Sequence, residues 1–398
     1  MQRLITAREV LAGPVGQRIK DGAVLIDGDT ITAAGPREEI ERAADDDALR
    51  SDHPRHAILP GLINCHVHLA FNCGQHVVDE LRATDDSALL LGMAGRAQQA
   101  LASGVTTVRD LGDRDGLVFQ VRAAVERGEL LGPRILAAGP PLTPPLGHCW
   151  FLGGEVDGPE AIRERIRRNA ALGADVIKVM ASGGSLTPES VSMREEQFGV
   201  AELKLIVREA RDAGLPVAAH AHGSDSIAAA TEAGVDTIEH CTWMRTGGEG
   251  HDRRDDVARA MVERGVRACV ATPAKWREFM QVIGPASARN VVQRLRWMDD
   301  LGVPLITGTD AGVSHRSGFG DFVEALELYE HVGFPLERII ELATTGSATG
   351  IGQGDRIGRI APGYAADLLV VEGDPLSDLA ALREIRLVLA AGRVVPLP

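Results

Sequence analysis

The stretch Leu59-Pro60-Gly61-Leu62-Ile63-Asn64-Cys65-His66-Val67-His68-Leu69 closes an apolar run with two histidines two residues apart. Side chains alternate faces along a strand, so His66 and His68 point to one side and Val67 to the other. A lone histidine in such a place is most simply a hydrogen-bonded core residue. Two at strand period point instead to half of a metal site, since imidazole is the commonest side-chain metal ligand.

Upstream, Ala23-Val24-Leu25-Ile26 and Thr30-Ile31-Thr32-Ala33-Ala34-Gly35 flank Asp27-Gly28. An Asp-Gly pair between β-prone runs is a hairpin signal, so residues up to about Ile58 read as a small β unit. Glu38 to Pro54, charged and carrying Asp45-Asp46-Asp47, read as a solvated helix end or loop.

Downstream, apolar runs alternate with amphipathic stretches. The runs are Ile58 to Leu69, Thr106 to Leu111, Arg134 to Ala138, Asp175 to Ala181, Pro216 to His222, Thr237 to Thr242, Arg267 to Thr272 and Pro304 to Asp310. Ser87 to Ala102, Pro159 to Leu172, Val200 to Ala213 and Asp255 to Arg264 read as helices between them. This is the count for a closed (β/α)8 TIM barrel, whose active site lies at the C-terminal strand ends. A doubly wound open sheet would call for a glycine-rich phosphate turn where His66-Val67-His68 stands. Ile339 to Leu342 reads as a last barrel helix, after which short β runs return at Leu368 to Val371, Ile385 to Leu389 and Val394-Val395. The expected division is residues 1–58 and 351–398 forming a small β-sandwich side domain from both chain ends, with a barrel at 59–350.

The chain has 398 residues and a formal net charge of -14, which argues against binding a phosphate backbone and for a small-molecule substrate. A homo-oligomer is compatible with this. Met1 to Val10 carries Arg3, Arg8 and Glu9 without the apolar core of a secretion signal, and no apolar run is long enough to span a bilayer. The expectation is a cytoplasmic protein with neither nucleic-acid nor membrane partners. Cys65, Cys73, Cys149, Cys241 and Cys269 are odd in number and lack a CxxC spacing, which fits reduced thiols.

Further strand ends add chemistry to His66 and His68. Val176-Ile177-Lys178-Val179-Met180 sets a lysine in an apolar strand. Either it snorkels from an edge, or burial depresses its pKa; the neutral amine can then take up carbon dioxide as a carbamate able to bridge two cations. His220-Ala221-His222 repeats the His-x-His pattern, Ile238-Glu239-His240 adds a histidine, and Thr309-Asp310 ends a strand with a carboxylate that could equally be a helix N-cap. On barrel strands one, four, five, six and eight these residues converge in one mouth.

The order His-x-His, Lys, His, His, Asp resembles the amidohydrolase superfamily, in its subgroup with two metals bridged by a carboxylated lysine. It is also similar to imidazolonepropionase-like and prolidase-like amidohydrolases. The likeness runs from Ala23-Val24-Leu25-Ile26-Asp27-Gly28, through Leu59 to His68 and Ile177-Lys178, to Gly363-Tyr364-Ala365-Ala366-Asp367-Leu368. It implies that His66 and His68 bind an inner metal, His220 and His240 an outer one, and Lys178 bridges them as a carbamate made from carbon dioxide. Asp310 then orients the bridging hydroxide, takes its proton and passes it on. Two divalent ions are implied, zinc by the donor set. The resemblance also makes His148, in Leu146-Gly147-His148-Cys149, a catalytic contact to the scissile carbonyl oxygen, although Pro144-Pro145 and Trp150-Phe151 replace the glycine-rich flanks of the family pattern.

The expected activity is hydrolysis of an amide or peptide-like C–N bond. Alternatives are a lactonase or esterase on the same centre, a cyclic amidine or imidazolone hydrolase of the one-metal kind, and a scaffold that has lost catalysis. Candidate substrate contacts are His148, His222, Arg245, Lys275, His315 and Arg316. Each of those cations either pairs with a substrate carboxylate or is a solvated loop charge.

Overall fold

The computed structural model describes residues 2–397. Strands β1 (Gln2–Leu11), β2 (Arg18–Asp27) and β3 (Thr30–Pro36) form an antiparallel meander. Gly28 turns the β2–β3 hairpin at φ 61°, a left-handed conformation that glycine adopts without steric cost. The segment read as solvated helix end or loop is in part a strand. A short helix, Arg37–Ala43, is followed by β4 (Leu49–Pro60), which runs parallel to β1. Charge hid this strand because Leu49 to His53 pair on one side only, with β1, and Pro54 falls where the register slips. Proline is tolerated at such bulges and edges.

Eight parallel strands follow. They are β5 (Leu62–Val67), β6 (Val105–Asp110), β7 (Arg134–Ala137), β8 (Ile177–Met180), β9 (Val217–Gly223), β10 (Thr237–Met244), β11 (Arg267–Ala271) and β12 (Leu305–Gly308). Three make one ladder, β5-β6-β7, and five make another, β8 to β12 in order. Single parallel bridges, Leu142 to Val179 and Val67 to Ala311, join the ladders at both seams and complete the (β/α)8 ring. The helices between strands turn one apolar face inward. On Asp86–Ala102 the buried residues are Leu89, Met93, Ala97, Ala100 and Leu101, at helical spacing, and Asp85 caps the helix by accepting from the Ala88 amide at 3.0 Å.

After the last barrel helix, β13 (Leu368–Glu372), β14 (Ile385–Ala390) and β15 (Arg393–Val395) return to the side sheet. Its order is β15-β14-β13-β4-β1-β2-β3, so both chain ends share one continuous set of seven strands. Ile5, Val24, Ile58, Leu368 and Val370 pack on one face of it.

Gly61 separates β4 of the side sheet from β5 of the barrel. A Cβ there would lie 1.9 Å from Thr106 Oγ1, so only glycine lets the first barrel strand settle against the second. Among the described residues no helix is long and apolar enough to cross a membrane.

Candidate active site

His66 and His68 stand at the end of β5 and Asp310 just past β12. His66 O accepts the Asp310 amide at 2.9 Å, and the Asn64 side chain bonds the Thr309 amide and hydroxyl at 3.2 and 2.8 Å. This brace brings the strand ends together. His66 Nε2 and His68 Nε2 are 3.3 Å apart, and Asp310 Oδ1 lies 3.3 and 3.4 Å from them.

Hydrogen-bond bookkeeping shows what that triangle wants. His68 Nδ1 donates to Gly112 O at 2.9 Å, and His66 Nδ1 lies 2.9 Å from Glu239 Oε2. Both Nε2 atoms therefore present lone pairs to each other and to a carboxylate oxygen. Three acceptors with no donor between them repel unless a cation sits there, and the spacing matches the edge, about 3.4 Å, of a tetrahedron of ligands at zinc–nitrogen distance.

His220, His222 and His240 form a second group, their ligating atoms all within 4.8 Å of one another. His220 Nε2 donates to Gly183 O at 3.1 Å, which leaves Nδ1 bare. Thr242 Oγ1 donates to His222 O and accepts from His222 Nδ1 at 3.0 Å, which leaves His222 Nε2 bare. His222, read from sequence as a substrate contact, thus stands with the outer group, stacked on His240 at 4.5 Å between ring centroids. Its place two residues after His220 was the signal.

Lys178 is 1 % exposed in β8, and its Nζ has no hydrogen-bond partner among the described residues. It lines the same cavity as both histidine groups. Burial draws its pKa down, against the pull of Glu239 and Asp310 upward. The lysine does not snorkel. An orphaned buried amine beside two cation-ready groups fits a bridging carbamate, so the residues present fit two metal ions.

His148, on the loop after β7, packs against His220 with ring centroids 4.7 Å apart. Thr187 Oγ1 takes the Cys149 amide hydrogen at 2.9 Å and lies 3.0 Å from His148 Nδ1. A hydroxyl has two lone pairs and one hydrogen, so Thr187 Oγ1 can bond Nδ1 in either tautomer, while Cys149 Sγ lies 3.4 Å from Nε2. Burial lowers the His148 pKa to about 3, so the ring is neutral at pH 7. Gly184 makes room for it, since a Cβ there would lie 2.3 Å from His148 Nε2.

The remaining cations named from sequence divide. Arg245 is exposed and paired with Asp252 at 2.9 Å, His315 is exposed 3.7 Å from Glu278, and Lys275 is exposed as well. None of the three lines the cavity; only Arg316 does, held by Glu278 at 3.4 Å. Sequence fixed the loops they sit on, whereas side-chain direction there follows from tertiary contacts.

Sequence reading also passed over Arg109 and Glu239, both buried inside the ring. Arg109 donates to Cys65 O, to Thr237 Oγ1 and to Glu239 Oε1 at 2.8 Å. Burial alone would raise the Glu239 pKa, but Arg109 and His66 beside it hold the carboxyl well below the usual range. Charges at mid-strand in Val108-Arg109-Asp110 and Ile238-Glu239-His240 were the available signal. Glu239→Gln should cost about 3–5 kcal/mol by leaving the Arg109 cation unpaired. Urea unfolding of the metal-free proteins reads this; a loss no larger than for a surface substitution, about 0.5 kcal/mol, would show that Arg109 does not depend on Glu239.

The ends of β10 and β12 are also unusual in their backbone. His240, Cys241 and Trp243 have φ of 65°, 47° and 55°, and Asp310 has φ of 56°. Such conformations cost about 1–3 kcal/mol each for residues other than glycine and cluster at functional sites.

The model of the Amidohydrolase family matches residues 57–395. The chain belongs to the amidohydrolase family. This amidohydrolase is 28% identical over 415 residues to ochratoxinase of Aspergillus niger, covering 93% of this chain and 81% of that protein. It is 26% identical over 420 residues to imidazolonepropionase of Chloroflexus aggregans, covering 91% and 90%. Among solved structures, that of a Xaa-Pro dipeptidase with bound methionine superposes with a TM-score of 0.86 at 27% identity, covering 99% of this chain and 100% of that one.

The cavity of this amidohydrolase measures about 580 Å³. Its floor is the two histidine groups with Lys178 and Asp310. Its wall is the helix Trp276–Asp300, broken at Gly284 (φ 79°, ψ 165°), which presents Phe279, Met280, Ile283 and Val291.

Proposed function

We propose that this amidohydrolase cleaves an amide or peptide-like C–N bond using two divalent metal ions, zinc by the donor set. His66 and His68 would hold the inner ion, His220 and His240 the outer one, and Lys178 would bridge them as a carbamate. Two close cations supply a water ionised at neutral pH and polarise a substrate carbonyl. The observation that carries the reading is Lys178 Nζ, buried and partnerless between groups that otherwise offer only acceptors. One-metal relatives have no use for a lysine there, so the cyclic amidine or imidazolone reaction is the weaker reading.

The chain's own residues divide the work. Burial alone would raise the Asp310 pKa, but His66 and His68 beside it keep the carboxyl well below the usual range. It is therefore ionised at pH 7 and placed to accept the proton of the attacking water and deliver it to the leaving nitrogen. In its Nε2-protonated tautomer, His148 would donate toward the carbonyl oxygen as charge develops there. The apolar wall excludes water from the reacting bond. The relatives named for hydrolases of a dipeptide and of an imidazolone support the bond class and leave the substrate open.

Elemental analysis after gentle purification should find about two divalent ions per chain, because the donors exceed what one tetrahedral ion takes. One ion or none, with no gain on adding zinc or manganese, would count heavily against the two-metal reading.

A further inference from the structure

Arg294 lies on the part of the helix Trp276–Asp300 that follows the break at Gly284, and it lines the cavity with His222, His240 and Asp310. It is 9% exposed. Its NH1 donates to Thr242 O at 3.0 Å, and its Nε has no partner among the described residues. No carboxylate lies within ion-pair distance of it among those residues. The other cavity arginines differ: Arg316 has Glu278, and Arg194 spends its NH1 on the carbonyls of Gly248 and Gly250 at the rim. Burial lowers the Arg294 pKa to about 10, so it stays charged at neutral pH.

A buried guanidinium without a counter-ion costs several kcal/mol of desolvation, which an incoming anion would recover. Its planar fork suits a carboxylate, which it can engage by two parallel hydrogen bonds. Thr242 stands two residues past His240 and its hydroxyl bonds His222 Nδ1, so this cation is tied to the strand end that carries the outer histidine group. On the same helix Phe279, Met280, Ile283 and Val291 give the cavity an apolar wall.

We propose that Arg294 anchors a carboxylate on the substrate, so that the amides this site takes are apolar ones carrying one carboxylate beside the scissile bond. This rests on the hydrolase reading above. The carboxylate can sit on the amine side, as in an N-acyl amino acid, or on the acyl side, as in a succinamic acid.

Two matched pairs test it with the zinc-loaded protein: N-acetyl-L-leucine against N-acetyl-L-leucinamide, and N-isobutylsuccinamic acid against its methyl ester. In one pair the acid should exceed its neutral partner in kcat/KM by roughly 10- to 100-fold, the scale of a charge-assisted hydrogen bond to a buried cation. The pair that shows the preference identifies the side. Arg294→Met should bring that ratio close to one, chiefly through KM, with metal content unchanged, and Arg294→Lys should keep part of it. Calorimetric titration of the Asp310→Asn protein should show the same preference in binding, independent of turnover. Equal binding of acid and neutral partner in both pairs overturns the proposal, as does an Arg294→Met protein that keeps the preference. Hydrolysis of the neutral amides without any preference for acids leaves the hydrolase reading standing and makes Arg294 a structural tie to Thr242. Failure of all four compounds to react in a protein holding two ions counts against the hydrolase reading instead, while the binding comparison still decides the role of Arg294. If Arg294→Met does not fold, the matched pairs in the parent and Arg294→Lys carry the test.

Discussion

Lys178→Ala should lose metal and activity together. The amine it removes is 1 % exposed and partnerless among the described residues, and it lies in one cavity with His68 and Asp310 of the acceptor triangle and with the imidazoles of His220, His222 and His240. Without a bridging carboxylate the two groups hold cations of like charge with nothing between them, and the affinity of both sites falls. The substitution leaves a space lined on the barrel side by the neighbouring strands, large enough for a short carboxylic acid. Added formate, acetate or propionate, together with zinc, should then restore part of the activity. Metal content and turnover measured with and without these acids give the answer. A Lys178→Ala protein that keeps two ions and full turnover with no acid present would reduce the lysine to a structural residue and end the bridging model.

Asp310→Asn should lower kcat by about a hundredfold or more, the usual scale for loss of a general acid–base group. The amide keeps the shape, and the brace from His66 O and Asn64 holds the Thr309-Asp310 backbone rather than the altered side chain, so it survives. Fold and much of the metal should remain. The carboxylate is ionised well below neutral pH, so no change of pH within the stable range should restore the variant. Activity equal to that of the parent would remove Asp310 from proton transfer.

The candidate metal ligands were legible because each breaks a local rule. Two histidines at strand period, a lysine in an apolar strand and a carboxylate at a strand end are anomalies that a sequence displays directly. The eight strand runs were legible for a related reason, since buried parallel strands leave continuous apolar text. What could not be read depends on partners distant in sequence. Arg109 and Glu239 make sense only as a pair across the barrel, and Arg294 only once a helix folds back over the mouth. Leu49 to His53 looked like a loop because a strand paired on one side can carry charge on the other. Arg245 and His315 take the second of the two roles open to them from sequence, as their side chains turn outward from the loops past the strands to pair with Asp252 and Glu278.

The order of the side sheet also bears on how the chain is made. Strand β4 leads through Gly61 straight into the strand that bears His66 and His68, yet its neighbour β13 is not synthesised until residues 368–372. During translation β4 therefore waits with one edge open while the entire barrel emerges, the kind of unpaired edge that invites wrong partners. Pairing of Leu368 to Glu372 with His56 to Pro60 joins the sheet only after all eight barrel strands have been made. The strand that presents His66 and His68 is thus clamped from behind by a segment made only after the whole barrel, so a nascent chain cannot have a fully braced candidate metal site before its side sheet is complete.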